Sequence, residues 1–274
     1  INLRGISGGT GGLLVLIDGH PQYQGIFGHP ISDSYQTMIT DRVEVLRGPA
    51  SVLYGSNAMG GVINIVTRGM KEDGVKTDIN ISGGSWGTAQ VEATNRLKKG
   101  KFSSTVSGQY GRSDNHRPRM GFEQYGGYLK LGYDFNENWN IWADGNVTHF
   151  NASQPGAVDA PMYEADQWIT RGVATLALDN HFKHTNGRIS VYDNFGRHKI
   201  NDGYAEGAKP QTRFFRSKDA LMGVSMYQSA ETEDGSRFTL GFDYQNIYGD
   251  AYYTSRETGE VLETKNKQSA EVRS

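Results

Sequence analysis

Long runs of alternating apolar and polar residues constrain this chain more than any other feature. Between Phe102 and Tyr110, the side chains of Phe102, Val106 and Tyr110 fall on one face of an extended strand, and polar side chains fall on the other. Alternation over about ten residues is typical of a tilted strand that crosses a membrane with one face in lipid. The same alternation recurs at 125–135, 139–148 and 238–248.

Composition supports strands of this kind and excludes a spanning helix. No stretch approaches the ~18–20 consecutive apolar residues that a transmembrane helix needs, and the longest apolar run, from Gly12 to Ile17, has the length of a strand. Hydrophobic residues make up 36% of the chain, which on its own is compatible with disorder. Aromatic residues make up 11%, however, and a barrel with a polar lumen and a lipid-facing exterior accounts for both values.

Several functional classes find little support in the sequence. The net charge of −2 gives no basic field for nucleic acid, and the absence of cysteine excludes disulfides and thiol chemistry. We find no pattern typical of a serine hydrolase, a zinc protease or a P-loop, so we predict no catalytic residues, no cofactor and no metal site. The chain starts at Ile1 without a signal-peptide pattern, and we expect either a processed protein or a fragment.

The spacing of the alternating segments predicts ten strands joined by connections of two kinds. Short connections at one end and long ones at the other are typical of outer-membrane barrels, with the short turns in the periplasm. Aromatic residues near the strand ends suit the two interfacial girdles, although core aromatics are an alternative interpretation. We predict strands at 74–84, 88–98, 101–113, 121–135, 138–150, 168–182, 187–199, 218–230, 235–249 and from 268 on, with short turns at 98–101, 136–138, 183–187 and 231–235 and long loops at 114–120, 151–167, 200–217 and 250–267.

The first 70 residues have a different pattern. Leu13–Asp18 and Gly60–Thr67 contain continuous apolar runs beside glycine, which favour short buried strands, and Arg42–Gly48 alternates charged with apolar residues. We predict a small mixed globular unit here. The segments VLIDG (15–19), RVEVLRGPASVLYG (42–55) and SNAMGGVINIVTR (56–68) resemble, in order and spacing, the plug domain of TonB-dependent outer-membrane receptors.

This resemblance implies a fold and a location. We expect an α+β plug followed by an antiparallel transmembrane β-barrel, incomplete, with about ten of the ~22 strands that receptors of this type use. Residues 1–70 would be the C-terminal part of the plug and residues 71–274 the N-terminal part of the barrel. The implied location is the outer membrane of a Gram-negative bacterium.

The resemblance also implies active uptake of a scarce ligand, namely a ferric siderophore, haem or cobalamin. The partner would be the TonB complex of the inner membrane, which binds a box that this chain lacks. Two alternatives stay open: a glycan importer of the starch-utilisation type, and a non-transporting all-β adhesin. The family holds its plug by ion pairs with the wall, which implies such a role for Arg4, Arg42, Glu44 and Arg47; ordinary surface charge is the alternative.

Ligand contacts are predicted in two places. Aromatic and cationic side chains at the plug apex and in the long loops suit an anionic, partly apolar chelate, although solvated loop surface is the alternative for each residue alone. His20 and His29 lack the spacing of a metal site, and Ca²⁺ binding by Asp159–Asp166 is a minor alternative. The predicted contacts are Tyr23, Gln24, Phe27, His29, Tyr54, Ser56, Asn57 and Met59 at the apex, and Arg117, Arg119, Tyr163, Trp168, Tyr204, Arg213, Phe214, Tyr252, Tyr253 and Arg256 in the loops.

Overall fold

The computed structural model describes residues 2–3, 6–7, 13–22, 39–48 and 58–273 of the chain. Within these residues the regular structure consists of strands in three sheets. None of the helical structure in the described ranges is long and apolar enough to cross a membrane.

A small mixed sheet forms the N-terminal unit. A separate two-stranded sheet pairs β1 (Asn2–Leu3) with β2 (Ile6–Ser7), and the strands of the mixed sheet are β3 (Leu14–Ile17), β4 (His20–Pro21), β5 (Thr40–Arg47) and β6 (Gly61–Thr67). The order of the mixed sheet is β4-β3-β6-β5, and β3 runs parallel to β6 whereas the other neighbours are antiparallel. Every side chain of β3 is buried, as the continuous apolar run predicted.

Ten antiparallel strands form the second unit, which we call the wall. The strands are β7 (Gly74–Gly84), β8 (Thr88–Lys99), β9 (Phe102–Ser113), β10 (Phe122–Asp134), β11 (Trp139–Ser153), β12 (Met162–His181), β13 (Thr185–Ala205), β14 (Arg213–Glu231), β15 (Arg237–Ser255) and β16 (Val261–Arg273). Each strand pairs with its neighbours in sequence, from β7 to β16 without a crossover, so the predicted ten-stranded meander is confirmed.

The wall carries its apolar side chains on the outside. Leu129, Leu131, Leu240 and Phe242 are 46%, 41%, 83% and 41% exposed, so they do not lie in a dry core between layers. Positions of the opposite parity are buried and often polar, as in the run Asp144, Asn146 and Thr148 of β11. An apolar exterior around a polar interior is the arrangement expected of a strand wall in lipid.

The prediction of long loops at 151–167, 200–217 and 250–267 is wrong. Most of these residues extend the strands: β12 begins at Met162, β13 runs to Ala205, β14 begins at Arg213 and β15 runs to Ser255. Beyond the lipid, the outward side chains need not be apolar, so the alternation of apolar and polar residues ends there. The backbone hydrogen bonds between neighbouring strands continue past this point, and the strands are therefore longer than the alternation indicates. Between the strands, residues 85–87, 114–121, 154–161, 206–212 and 256–260 remain at one end and residues 100–101, 135–138, 182–184 and 232–236 at the other.

The two ends of the wall can be oriented from these connections. Outer-membrane barrels place their shorter turns in the periplasm and their longer hairpins outside the cell. By this rule, the end with turns 100–101, 135–138, 182–184 and 232–236 corresponds to the periplasmic end of an outer-membrane barrel. The segment 68–73, which links the mixed sheet to β7, enters the wall at this same end, where Asp73 accepts a hydrogen bond from the backbone of Gly100.

Candidate functional site

The turn between β3 and β4 connects the mixed sheet to the wall. Asp18 and Gly19 both have positive φ, 47° and 88°, which suits Asp-Gly in a two-residue hairpin. Asp18 Oδ1 accepts from Thr67 N at 2.8 Å, and Oδ2 accepts from Thr67 Oγ1 at 2.6 Å. Oδ2 also accepts from Lys130 Nζ of β10 at 2.8 Å. One carboxylate thus ties β3 to both β6 and the wall.

The charge of Asp18 is favoured by these partners. Burial raises the pKa of the carboxyl, but the positive charge and hydrogen bond of Lys130, together with the hydrogen bonds from Thr67, outweigh burial, and the pKa lies below its usual value. Asp18 is therefore ionised at neutral pH, and its pair with Lys130 is formed.

His20, two residues further on, is inserted among wall side chains. Its Nε2 lies 3.0 Å from Ser190 Oγ, and its ring lies 5.0 Å from the ring of Tyr192 and 6.2 Å from that of Trp142. Burial, followed by the nearby charge of Arg188, lowers the pKa of His20 to about 4. The imidazole is therefore neutral at physiological pH.

The wall presents a polar platform beneath this turn. Arg188 donates to Asp179 and to the backbone oxygen of Asp18, the latter at 3.1 Å. Trp142 Nε1 also donates to Asp179, at 2.9 Å, and both Lys130 and Arg188 lie over the indole ring. Four consecutive strands, β10 to β13, therefore contribute one side chain each to the surface that receives the turn.

A second polar cluster lies further along the inner face of the wall. Arg171 donates to both oxygens of Asp219 at 2.9 Å and to Asn194 Oδ1 at 2.7 Å, and Asn194 donates to the backbone oxygen of Pro21. The Asp219 side chain is 0% exposed. A buried charge pair of this kind is stable only when its hydrogen bonds are satisfied, and here they extend from the wall to β4.

An apolar contact completes the interface. Leu14, Leu16 and Val62 of the mixed sheet form one buried cluster with the wall residues Tyr192 and Leu221. The mixed sheet is thus held against the inner face of the wall by an apolar contact beside the two polar ones.

The predicted extracellular contacts fall into three groups. Near the hairpin tips, Arg119 lies 4.2 Å from the ring of Tyr163, which stacks on Tyr204, and Arg117 donates to Gly156 O of the neighbouring connection. On the inner face, the Arg213 guanidinium lies 3.9 Å from the ring of Tyr253. On the outer face lie Trp168, Phe214, Tyr252 and Arg256; Trp168 and Phe214 contact edge to face, and Arg256 pairs with Glu164.

The structure therefore separates residues that were predicted to act together in the loops. Strand alternation sends Trp168, Phe214 and Tyr252 outward, because the positions of opposite parity, such as Arg171, Ser217 and Ala251, are buried on the inner side. Two cation–aromatic contacts remain on the other side: Arg119 with Tyr163 at the hairpin tips, and Arg213 with Tyr253 on the inner face.

The predicted plug residues are described only in part. Met59 is exposed, whereas Tyr23, Gln24, Phe27, His29, Tyr54, Ser56, Asn57 and Arg4 lie outside the described residues. Arg42 pairs with Glu44 at 2.8 Å within β5, Glu44 also accepts from Asn64, and Arg47 lies at the end of the same strand. Their predicted pairing with a barrel wall stays a prediction.

Sequence reasoning missed the groups that hold the plug turn. Asp18 and Lys130 are 112 positions apart, and neither lies in a motif that points to the other. Asp18 belongs to the VLIDG segment without a role of its own, and Lys130 is one of several polar positions in β10. The one available signal is the alternation itself, which places Lys130 on the polar face of its strand.

Comparison with known proteins agrees with this architecture. The family model of the TonB-dependent receptor plug domain matches residues 1–62. The vitamin B12 transporter BtuB of Vibrio cholerae is 27% identical over 143 residues, which cover 48% of this chain and 23% of that protein. The chain thus matches about a quarter of the length of this curated relative.

Solved structures show the same fold. The copper transporter OprC superposes with a TM-score of 0.76 at 15% identity, covering 94% of this chain and 42% of that one. The ferripyoverdine receptor of the outer membrane of Pseudomonas aeruginosa gives a TM-score of 0.70 at 14% identity, covering 95% and 41%. The first 62 residues of this chain therefore match the TonB-dependent receptor plug domain, and its mixed sheet and ten-stranded wall have the fold of TonB-dependent receptors of the Gram-negative outer membrane.

Proposed function

We propose that this chain is part of an active importer that carries a scarce ligand across the outer membrane and breaks no covalent bond. The observation that carries the proposal is the placement of the mixed sheet on the inner face of the wall through Asp18, His20 and the apolar cluster. A sheet that lies across the lumen blocks passage. Transport therefore requires these contacts to break or shift.

The energy for this step would come from the TonB complex of the inner membrane, the partner implied by the family. We propose the division 1–70 for the plug and 71–274 for the barrel, with Arg4, Arg42, Glu44 and Arg47 available for further pairing with wall strands. The apex residues Tyr23, Gln24, Phe27, His29, Tyr54, Ser56, Asn57 and Met59 remain proposed ligand contacts.

The ligand that the extracellular opening suits best is an anionic chelate with flat groups. Arg213 over Tyr253, beside Phe215, and Arg119 over the stacked pair Tyr163 and Tyr204 combine positive charge with aromatic faces. Such groups recognise carboxylates or phenolates together with planar rings. We therefore rank a ferric siderophore first, and haem and cobalamin are the other members of the class.

A glycan importer remains the second candidate. Aromatic faces also stack on sugars, but a neutral glycan gives Arg119 and Arg213 no countercharge. The names of the three relatives described above point the same way, because they specify vitamin B12, copper and ferripyoverdine. None of these three names specifies a glycan.

Growth of a deletion strain tests the proposal. The strain, complemented with the intact receptor, is supplied with ferric siderophores, haem or cobalamin as sole source, with and without a functional TonB complex. We expect TonB-dependent growth on one of them, reduced by Arg213→Gln with Tyr253→Ala and unchanged by Arg237→Gln at a periplasmic turn. Growth restored only on oligosaccharides, or equally without TonB, would contradict the proposal.

A further inference from the structure

Four basic side chains form a block on the outer surface of the wall, away from the plug. Arg197 and Lys199 of β13 have the outward parity of Val191, and Arg216 and Lys218 of β14 share that face. The register sets Arg197 directly opposite Lys218 and Lys199 directly opposite Arg216. The four positions therefore form a two-by-two array of positive charge.

This array is unfavourable in the isolated protein. Like charges directly opposite each other on neighbouring strands destabilise the pair. Among the described residues, none of the four forms an ion pair, and Asp250, opposite Lys218 in register, is not within ion-pair distance. The nearby Arg256 is different, because it pairs with Glu164 at 2.6 Å. The block thus has unbalanced charge that an anionic group would neutralise.

Aromatic side chains border the block on its extracellular side. Lys199 Nζ lies 4.4 Å from the centre of the Trp168 ring and 4.2 Å from that of Phe214, which holds the ammonium group between two rings. Lys218 lies 5.8 Å from the ring of Tyr252. Tryptophan and tyrosine concentrate at the level of membrane headgroups, which marks the height of the block.

The length and tilt of the strands place the block at the same level of the membrane. Lys218 lies about 12 residues along β14 from Ala230, which pairs with Thr185 beside the periplasmic turn. At ~3.3 Å per residue and a tilt of ~45°, this separation is roughly 28 Å along the membrane normal, close to the ~25 Å of a barrel's apolar band. Below the block, Met222 and Val191 are exposed and apolar. The block therefore lies where the outer leaflet's acyl chains end and its headgroups begin.

We propose that Arg197, Lys199, Arg216 and Lys218 bind the phosphorylated sugar headgroup of an outer-leaflet glycolipid, with Trp168 and Phe214 packing beside it. Arginine and lysine bind phosphate oxygens by charge-assisted hydrogen bonds, and a lipid occupant is favoured because the block lies directly above the lipid-facing apolar band. The site lies on the opposite face of the wall from the plug. It is therefore independent of the ligand that the receptor imports.

Binding of purified glycolipid to the intact receptor in detergent tests the site. The probes are the bisphosphorylated glycolipid of the outer leaflet, the same lipid after enzymatic removal of its phosphates, and inorganic phosphate. The test variant replaces all four residues by glutamine. The matched control replaces four exposed cations of the periplasmic half, Lys76, Lys99, Lys183 and Arg237, by glutamine.

Each basic side chain near an anionic lipid surface strengthens attraction about fivefold. We therefore expect the test variant to bind the phosphorylated lipid at least about 100-fold more weakly than wild type, with the control within about twofold. Dephosphorylated lipid should bind wild type and test variant alike, and inorganic phosphate should not compete at millimolar concentration. Equal binding of phosphorylated and dephosphorylated lipid, or full affinity in the test variant, would overturn the proposal, as would displacement by free phosphate.

A second measurement protects against a variant that fails to fold. A photoreactive residue placed in the wild-type background at Thr170, which lies opposite Arg197 in register, should crosslink to glycolipid in native membranes. The same group at Val75, on the outer face of β7, is the control. Crosslinking no stronger at Thr170 than at Val75 would also reject the site.

Discussion

At the scale of single residues, the position of the plug depends on a few polar side chains. Asp18 accepts hydrogen bonds from both β6 and the wall, and His20 lies neutral among Ser190, Tyr192 and Trp142. Both are plug residues that lie near the two cations Lys130 and Arg188. Because Asp18 is ionised and His20 is neutral at physiological pH, replacing Asp18 changes the charge of this interface, whereas replacing His20 does not.

Asp18→Asn should loosen the plug at neutral pH. The change removes the carboxylate from a largely buried pair with Lys130, and breaking such a pair costs about 3–5 kcal/mol when the other charge is left uncompensated. We expect faster amide hydrogen exchange in Leu14–Ile17, measured by mass spectrometry on the intact receptor. Asp114→Asn, which removes an exposed pair with Arg112, should leave this exchange unchanged; equal exchange in wild type and Asp18→Asn would refute the role of the pair.

Acidification should destabilise the docked plug through His20. The pKa of His20 is lowered by burial from 6.5 to about 4, so the undocked or unfolded state binds the proton more tightly. Stability is therefore complete above pH 6.5 and falls as the pH drops from 6.5 to about 4, by roughly 3 kcal/mol in total. Asp18 does not contribute in this window, because its pKa lies below 3.8.

The pH effect can be separated from general acid denaturation. Thermal midpoints of wild type and His20→Gln, compared between about pH 7.5 and 4.5, should converge as the pH falls, because only wild type has an imidazole that is protonated in the undocked or unfolded state while it stays neutral in the docked one. A difference between the two proteins that is constant across this range would show that His20 does not titrate as described.

At the scale of the strand, the alternation of apolar and polar residues predicts well which side chains face outward, but it predicts poorly where a strand ends. The periplasmic strand ends were predicted within a few residues, because Gly-rich or Asn-rich turns interrupt the pattern there. At the extracellular end the prediction stopped early: β12 was expected from residue 168 and begins at Met162. At that end, backbone hydrogen bonds hold neighbouring strands together whatever the side chains are. Backbone hydrogen bonds leave no pattern of apolar residues in the sequence, so the sequence does not indicate where these strands end.

The two faces of one strand should respond differently to charge. Val91 lies on the exposed outer face of β8, and Gln90 beside it has the parity of buried Glu92, to which it donates a hydrogen bond. Val91→Arg should destabilise the folded receptor in lipid by about 1–2 kcal/mol, because the cost of arginine falls from about 2–4 kcal/mol at the bilayer midplane toward the interfaces, and Val91 lies near the extracellular end of β8. Gln90→Arg should cost little.

Unfolding in phospholipid vesicles, followed by urea titration and by mobility on gels without heating, measures both variants. If Val91→Arg is as stable as Gln90→Arg, the outward assignment of β8 is incorrect.

At the scale of the whole molecule, the sequence predicted the architecture but not the docking. Ten strands, their order and their lipid-facing exterior follow from local pattern, and the plug follows from its motif. The contacts from Asp18 to Lys130 and from His20 to Ser190 join segments more than 100 residues apart. No local pattern specifies which wall residue meets which plug residue, and the proposed apex contacts depend on the same kind of long-range packing.

The exposed apolar exterior predicts how the intact receptor behaves in solution. Side chains such as Leu240, Phe238 and Leu176 expose apolar surface on the outside of the wall, and the number of such side chains is far larger than a soluble monomer tolerates. We expect extraction from membranes only with detergent, and aggregation when the detergent is removed, as followed by size-exclusion chromatography. A folded, monodisperse protein without detergent would contradict the lipid-facing assignment.

The parallel pairing of β3 with β6 determines how the plug responds to mechanical force. β6 leads directly into the wall at its C-terminal end, and β3 is bonded to it from Leu14 opposite Val62 to Ile17 opposite Ile65. A pull on the chain ahead of β3 loads these bonds in shear, so they share the force and rupture together rather than unzipping singly. The segment before β3 would then stretch first, and the Asp18 turn would be among the last parts of the plug to move.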